Sequence, residues 1–432
     1  MSGPAHHLAR LLAQGPRPLS ELLPELGLSR HAVGRLVRGQ PDRFLRIGAR
    51  KTARYALTRA IPGVVSPIPV HEWAAAGQQA PVHLLDLVPI APQGFAVLPA
   101  TGGLLTATDG LPWFLQDHRP QGFLGRQIPR LYPELQAPDD IRSWSDDHVI
   151  RYATTMGSSP PGALVVGHAP LFMARHFTAP GPEAPSVTAL LSQLTQRVLD
   201  GLLAPTAGSS AAGEQPKLLA TLTRPGARIE LVVKYSPPLH TAVGRRVGDL
   251  LVAEHLAGQT IHAHRPGWAA PSTVHLHADR MWLLSERFDR TPTGGRLGAC
   301  SLLAVDGEHT GVFPRQWSRA AAALVGRGLL SATDAARIDW LEAFGHGIGN
   351  TDMHFGNLTL GLRGIAIDGV RPIYDMLPMA WMPRHGELTR VTARPRGQSG
   401  PATAAVTDFW RAVASHALIS KTFQAVARDM AA

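Results

Sequence analysis

Gly349-Asn-Thr-Asp-Met-His-Phe-Gly-Asn357 is the most informative stretch of this chain, together with Asp375, which follows Asn357 by eighteen residues in Ile373-Tyr-Asp-Met376. In phosphoryl transfer one carboxylate accepts the proton of the attacking hydroxyl. An amide oxygen and a second carboxylate hold Mg²⁺ on the phosphates. Asp352, Asn357 and Asp375 supply these groups in this order. A solvated turn rich in Asp, Asn and His is the alternative interpretation, and the other motifs of the chain decide between the two.

The residues around this loop alternate like short strands. Leu358-Thr-Leu-Gly361 and Gly364-Ile-Ala-Ile-Asp-Gly-Val370 predict two strands joined by a glycine-rich turn. Helices are predicted near residues 315–324 and 332–345, before the loop, and near 405–430, after it. The pattern therefore indicates a helical region that carries a polar loop and a short hairpin.

Composition limits the class of protein. The chain has 432 residues, 44% hydrophobic and 17% charged, which is typical of a globular protein with two or three domains. No apolar stretch approaches the roughly 20 residues that a membrane helix requires, so no membrane partner is expected. Cys300 is the single cysteine, which excludes an intramolecular disulfide and favours a reducing, cytoplasmic location.

Positive charge is concentrated at the N-terminus. Residues 1–61 hold 11 Arg and Lys against 3 Asp and Glu, whereas the remaining 371 residues hold 31 against 29. The helical patterns, the Gly27-Leu-Ser29 turn and a basic hairpin predict a winged helix-turn-helix that binds DNA. Protein docking or dimerisation is the alternative role for such a unit. The basic side chains predicted to contact DNA are Arg30, Arg35, Arg38, Arg50 and Lys51.

Lysine is rare in this chain, which has 4 lysines and 38 arginines. A lysine that persists in such a background is expected where a compact ammonium is needed. Lys234 ends the strand-like run Ile229-Glu-Leu-Val-Val-Lys234, after the small-residue loop that leads into Lys217. A loop of this kind brings backbone N–H groups near phosphate oxygens, and a strand lysine reaches the same phosphates. A flexible linker and a solvated strand end are the alternatives.

Two further segments follow this strand. Val247–Ala257 predicts an amphipathic helix with Asp249 and Glu254, either of which is a candidate partner for Lys234. A hairpin then ends near Glu286-Arg-Phe-Asp289, where a glycine-rich segment is expected to act as a hinge. By contrast, residues 70–145 predict short strands and loops without a catalytic or ligand-binding motif. Trp113, Tyr132 and Trp144 are expected in the core.

In this order, the motifs resemble the HipA-like serine/threonine kinases, which are toxins of bacterial toxin–antitoxin systems. The YjjJ (HipH) branch is most similar, because a helix-turn-helix there precedes the kinase on one chain. The resemblance covers roughly residues 70–400. It depends on Ser210-Ala-Ala-Gly-Glu-Gln-Pro-Lys217, Val233-Lys234, Glu286-Arg-Phe-Asp289, the loop 350–357 and Tyr374-Asp375.

The resemblance implies a role for each matched residue. Asp352 would be the catalytic base with His354 as a supporting residue, and Asn357 and Asp375 would bind Mg²⁺. Ser210 corresponds to the serine that such kinases autophosphorylate, with Ser209 as a neighbouring candidate. A phosphate there brings a charge of about −2 to the place of the ATP phosphates. The residues expected to contact ATP are Lys217, Lys234, Gly213, Glu286 and Phe288.

The expected architecture is α+β, a bilobal protein-kinase-like (HipA-like) fold preceded by a small winged helix-turn-helix domain. The expected divisions are residues 1–61 for DNA binding, 62–150 for a β-rich subdomain, 151–290 for the N-lobe and 291–432 for the helical C-lobe. The expected partners are a protein substrate and DNA, and the resemblance adds an antitoxin and a homodimer as candidates.

Three functions are compatible with these observations. The leading one is an ATP- and Mg²⁺-dependent serine/threonine protein kinase with a toxin role. The second is a transcriptional regulator whose kinase-like body senses a nucleotide with weak catalysis. The third is a small-molecule phosphotransferase, which the serine in the glycine-rich loop and the N-terminal unit disfavour.

Overall fold

The computed structural model describes residues 3–49, 52–73, 75, 80–103, 105–157, 159–176, 181–200, 216–388 and 400–431. Within these ranges, no helix has both the length and the apolar character of a membrane span.

The N-terminal unit contains the helices and the hairpin that its sequence predicts. Ser29 caps the third helix by accepting a hydrogen bond from the Ala32 N–H at 3.2 Å, and Gly27, with φ of 63°, ends the second helix. Leu8, Leu12 and Leu22 are completely buried between the helices. DNA binding by this unit remains a prediction. Its elements are α1 Pro4–Leu12, β1 Arg17–Pro18, α2 Leu19–Leu26, α3 Arg30–Arg38, β2 Phe44–Ile47 and β3 Arg54–Leu57.

The next segment is a five-stranded antiparallel sheet in the order β7-β6-β5-β4-β8, with helices beside it. Because β8 completes this sheet, the sheet extends past residue 150, where we predicted a boundary. The proline-rich residues 62–69 make only a short connection to this sheet, because Ile68 and Pro69 already belong to β4. The elements are β4 Ile68–Glu72, β5 Val82–Ile90, β6 Gly94–Pro99, β7 Thr106–Thr108, α4 Gly122–Gly125, α5 Ile128–Leu131, α6 Asp146–Thr155, β8 Leu164–Val166 and α7 His168–His176.

The N-terminal unit is packed against this sheet and is not merely tethered to it. Apolar residues of the β2–β3 hairpin and of β5 and β6 share a small core, and the Gly48 N–H donates to the Leu105 carbonyl at 2.9 Å. The Arg59 guanidinium makes two hydrogen bonds to the Asp147 carboxylate, at 2.7 and 2.8 Å. The shared core contains Ile47, Ala56, Val88, Ile90 and Ala96.

A second five-stranded sheet follows, in the order β12-β13-β11-β10-β9, and only the pairing of β9 with β10 is parallel. Lys217 and Lys234 are register partners on β10 and β11, so the two lysines are neighbours. The long helix α9 packs on β13 and β12. The elements are β9 Glu183–Ala184, α8 Val187–Leu199, β10 Lys217–Arg224, β11 Ala227–Tyr235, α9 Ala242–His264, β12 Ser272–His277 and β13 Arg280–Glu286.

The C-terminal part is mainly helical and includes a three-stranded sheet in the order β14-β15-β16. Trp317, Phe344, Phe409 and Trp410 are almost completely buried at its centre. The predicted helix at 405–430 is two helices. The elements are β14 Gly298–Ser301, α10 Leu302–His309, α11 Trp317–Gly326, α12 Ala332–Gly347, β15 Thr359–Arg363, β16 Ala366–Val370, α13 Thr403–Ser415 and α14 Lys421–Ala431.

Candidate active site

A cavity of about 460 Å³ lies between the second sheet and the C-terminal part. This volume is within the range of small-molecule and cofactor sites. Five of the residues predicted from the sequence line it, namely Lys217, Lys234, Glu286, Phe288 and Asp375. The cavity therefore brings the two strand lysines, the predicted hinge and one predicted metal ligand together.

Lys234 is held between two carboxylates at the cavity wall. Its Nζ donates to both carboxylate oxygens of Glu254, at 2.7 and 2.8 Å, and to Oδ1 of Asp375 at 2.6 Å. Glu254 is thus the helix partner of Lys234. The other candidate, Asp249, instead accepts hydrogen bonds from the Ser420 N–H and hydroxyl, at 2.7 and 2.6 Å.

Charge and burial compete at all three groups. Burial alone would raise the pKa of Asp375, but the charges of Lys234 and Lys217 together with the Lys234 hydrogen bond outweigh burial and lower this pKa to about 2. Burial opposes the charge on Lys234, yet the carboxylates of Asp375 and Glu254 raise its pKa. Burial raises the pKa of Glu254, and the Lys234 charge opposes this shift. Asp375 also has a φ of 57°, a left-handed conformation that is unfavourable for a residue other than glycine.

Hydrogen bonds order the predicted catalytic loop. The Asp352 N–H donates to Oδ1 of Asn350 at 3.0 Å, and Nδ2 of Asn357 donates to the Asp352 carbonyl at 2.7 Å. Asn357 is buried, whereas Asp352 is exposed. Because the side-chain nitrogen of Asn357 donates to the Asp352 carbonyl, the side-chain oxygen of Asn357 is not used in this hydrogen bond. Asn350 links the loop to the segment of Asp375, the predicted metal ligand, through a 3.5 Å contact from its Nδ2 to the Asp375 carbonyl.

His354 supports this loop. Its Nδ1 accepts a hydrogen bond from the Gly356 N–H at 3.0 Å, and its carbonyl accepts one from the Trp317 indole at 3.3 Å. Buried Glu342 in turn accepts the Trp317 N–H at 2.6 Å. Asp352, His354 and Asn357 do not line the cavity, in contrast to Gly356 of the same loop.

The predicted hinge, at Glu286 and Phe288, lies at the cavity wall. The Glu286 N–H donates to the Pro271 carbonyl at 2.8 Å, so this backbone group is engaged within the protein. The Phe288 ring stacks on Tyr374, with ring centroids 5.5 Å apart. Burial raises the pKa of Glu286.

A buried ion cluster follows the hinge. The Asp289 carboxylate accepts hydrogen bonds from Nη2 of Arg287 at 2.9 Å, Nη1 of Arg290 at 2.7 Å and the Gly162 N–H at 2.8 Å. Burial would raise the pKa of Asp289, but the two guanidinium groups hold it well below its usual value. Because Gly162 follows the first sheet's helix α6, this cluster joins that segment to the hinge.

The remaining predicted residues divide into two groups. Arg30, Arg35 and Arg38 are exposed on α3. Ser209, Ser210, Gly213, Arg50 and Lys51 lie outside the described residues.

Part of the cavity wall was missed by the sequence analysis. We expected residues 70–145 to contribute no chemistry, yet Pro120, Leu124 and Ile128 line the cavity. Of the three aromatic residues expected in the core, Trp144 is buried and Trp113 and Tyr132 pack against the core while partly exposed. The apolar wall residues form no motif, so no sequence signal marks them.

The fold defines a class, the protein-kinase-like HipA fold. The structure matches a solved chain of the Shewanella oneidensis MR-1 toxin–antitoxin complex of HipA, HipB and operator DNA, with a TM-score of 0.50 and 13% identity. The match covers 84% of this chain and 95% of that chain. The Helicobacter pylori proinflammatory kinase CtkA matches with a TM-score of 0.28 and 12% identity over 46% of this chain and 60% of that chain, too weakly to support an argument.

Sequence comparisons identify the family within this class. Residues 64–175 match the YjjJ-like toxin middle domain, and residues 209–432 match the HipA-like C-terminal domain. Toxin YjjJ of Escherichia coli (strain K12) is 35% identical over 444 residues, which cover 98% of this chain and 96% of the relative. The chain therefore belongs to the YjjJ family of HipA-like toxins, which confirms the resemblance found in the motifs.

Proposed function

We propose that this toxin is an ATP- and Mg²⁺-dependent serine/threonine protein kinase. One observation carries the proposal: the buried Lys234 ammonium bonds both to Glu254 and to Asp375 at the wall of a nucleotide-sized cavity. A kinase requires this strand lysine and helix glutamate pair, together with an aspartate for the metal. The lysine is thereby fixed where phosphates are to be bound.

Lys234 and Lys217 would bind the nucleotide phosphates. The two lysines are register partners on neighbouring strands, and both line the cavity. Glu254 would keep Lys234 extended into the site. Two ammonium groups at one end of the cavity offset the negative charge that phosphates bring.

Asp352 would accept the proton of the substrate hydroxyl, and Asn357 and Asp375 would hold Mg²⁺. The residues fit this ion, because Asp375 is ionised and the Asn357 amide is oriented by its bond to Asp352. Within the described ranges no three His, Cys, Asp or Glu side chains converge on a metal site. Mg²⁺ typically takes one or two carboxylates and completes its shell with water and phosphate. When bound, it would neutralise charge on the transferring phosphoryl group.

Two further functions belong to the proposal. Autophosphorylation at Ser210 or Ser209 would place a charge of about −2 where the ATP phosphates belong, and so silence the kinase. The exposed arginines of α3 would bind DNA, which is supported by the occurrence of operator DNA with HipA and HipB in the Shewanella complex. A protein substrate, an antitoxin and a homodimer are the remaining proposed partners.

Asp352→Ala tests the proposal. We expect phosphate transfer from radiolabelled Mg-ATP to fall by roughly 10²–10⁴-fold, because the general base is removed. The fold should persist, since Asp352 is exposed and its hydrogen bonds to Asn350 and Asn357 use only its backbone. Asp368→Ala, at an exposed position of β16, is the matched control and should retain activity. Undiminished transfer by Asp352→Ala would refute the assignment.

A further inference from the structure

The cavity has a third wall besides the second sheet and the C-terminal part. Residues of the first-sheet segment line it at two places, 117–128 and 152–161. The short helix α4 lies against strand β10. A kinase site built only from two lobes would lack this wall. The attachment of the wall and the side chains on it therefore determine which ligand groups it can bind.

Hydrogen bonds hold this wall in place at both ends. The Asp117 carboxylate accepts the Ser301 N–H at 2.5 Å and the Ser301 hydroxyl at 2.7 Å, which ties it to the start of α10. Gly162 bonds to Asp289, and a Cβ at Gly162, where φ is 74°, would lie 2.8 Å from the Ala299 carbonyl oxygen. This close approach requires glycine. The wall is therefore a fixed part of the cavity.

Two charged or polar side chains of the wall, Arg119 and Ser159, have partners within the protein, whereas the buried Nδ1 of His118 has none among the described residues. Arg119 donates to the Trp144 carbonyl at 2.7 Å and pairs with Asp146, and the Ser159 hydroxyl accepts from Arg287 at 3.1 Å. The wall also offers a ligand apolar surface from Pro120, Leu124 and Ile128. Such surface suits a flat, weakly polar group and not a phosphate.

We propose that this segment is part of the nucleotide site and that Leu124 contacts the nucleoside and sets its affinity. The inference rests on the proposed function, since it assigns a second binding surface to the same cavity. The lysines Lys217 and Lys234 bind the phosphates, and the apolar wall binds the nucleoside. Leu124 is partly exposed and does not belong to the hydrophobic core, so its truncation leaves the fold intact.

Calorimetric titration of the full-length protein with two probes tests the inference. The first probe is a non-hydrolysable ATP analogue with Mg²⁺, and the second is magnesium tripolyphosphate, which has the phosphates without the nucleoside. For Leu124→Ala we expect the Kd of the analogue to rise roughly tenfold, because an apolar contact is lost, while the Kd of tripolyphosphate is unchanged. Leu131→Ala, at a site 62% exposed on the same segment and outside the cavity, is the control and should change neither.

Three other outcomes would contradict the inference. Unchanged analogue affinity in Leu124→Ala would overturn the inference and leave the proposed function standing. Equal weakening of both probes would also overturn it, since the effect would then not be specific to the nucleoside. If the unmodified protein bound neither probe, both the inference and the proposed function would be wrong.

Discussion

At the scale of single residues, the buried ammonium of Lys234 donates hydrogen bonds to two carboxylates. Lys234 is only 5% exposed, and its ammonium is within 2.8 Å of oxygens of both Glu254 and Asp375. A buried charge is tolerated when it is paired and hydrogen-bonded. Asp375 keeps its negative charge beside Lys234, because its pKa is lowered to about 2, and a divalent cation at Asp375 would offset that charge.

Lys234→Met tests this pairing through stability as well as through activity. Without the ammonium, the buried Glu254 carboxylate and the partly buried Asp375 carboxylate lose their partner, and we expect the free energy of unfolding at pH 7 to fall by about 3–5 kcal/mol. Phosphate transfer should be lost as well. Chemical unfolding monitored by circular dichroism gives the first value. Lys421→Met, at an exposed lysine, is the control and should be close to the unmodified protein.

The loss of stability in Lys234→Met is expected to become smaller as the pH falls. In the unmodified protein Asp375 has its pKa lowered to about 2, so it stabilises the fold above about pH 4 and loses this contribution as the pH falls toward 2. In Lys234→Met the carboxylates of Glu254 and Asp375 have no ammonium partner, and protonation removes their unpaired negative charge. The stability difference should therefore shrink between pH 7 and pH 4.5. A constant difference would contradict the pairing of Lys234 with these carboxylates.

At the scale of elements, α3 and the β2–β3 hairpin have different surroundings. Helix α3 buries Val33 and Val37 and exposes Arg30, Arg35 and Arg38. The hairpin instead buries Ile47 and Ala56 against the first sheet. Helix α3 therefore presents its arginines for the proposed DNA contact, and the described strands of the hairpin attach the unit to the body.

Arg35→Ala tests the helix. If Arg35 neutralises a DNA phosphate, its loss should weaken binding to duplex DNA and reduce the slope of log K against log salt by about one. Fluorescence anisotropy between 50 and 200 mM salt measures both quantities. Arg17→Ala is the control in the same unit, since Arg17 is engaged by Glu21 and Glu25, at 3.1 and 2.6 Å. Equal slopes for Arg35→Ala and the unmodified protein would exclude a phosphate contact.

At the scale of the whole molecule, consecutive segments are joined by buried and partly buried polar contacts. The N-terminal unit is joined to the first sheet through Arg59 and Asp147. The first sheet is joined to the kinase-like body through Asp117 with Ser301 and through Asp289 with Gly162. The first-sheet segment and the kinase-like body both line the cavity, so the shape of the cavity depends on the junction between them.

Asp289→Ala tests this junction. The buried guanidinium groups of Arg287 and Arg290 would lose their shared carboxylate, and we expect the free energy of unfolding to fall by about 3–5 kcal/mol at pH 7. The lowered pKa of Asp289 means that its contribution is present above about pH 4 and is lost as the pH falls. Thermal unfolding at pH 7 and at lower pH measures the effect. Asp368→Ala, which removes an exposed ion pair with Arg363, should change stability little, and an equal loss in both variants would contradict the buried junction.

Much of the candidate site was predictable from sequence, because its residues belong to short motifs with a chemical meaning. The loop 350–357 and Asp375 are close in sequence, and the strand that ends in Lys234 is marked by rare lysine. The α+β kinase-like fold and the family followed from the order of these motifs, and both were confirmed. The roles of Asp352, Asn357 and the autophosphorylated serines remain predictions.

Tertiary structure alone decided the partner of Lys234 and the third wall of the cavity. Asp249 and Glu254 are five residues apart on α9, so their side chains point roughly 140° from one another around the helix, and packing selects which one meets the strand. Pro120, Leu124 and Ile128 carry no polar group that would mark a site. Their place beside Lys217 depends on contacts with residues far away in sequence, such as Ser301 and Asp289, which local patterns do not record. The sequence thus determined the chemistry of the site, and long-range packing determined its boundaries.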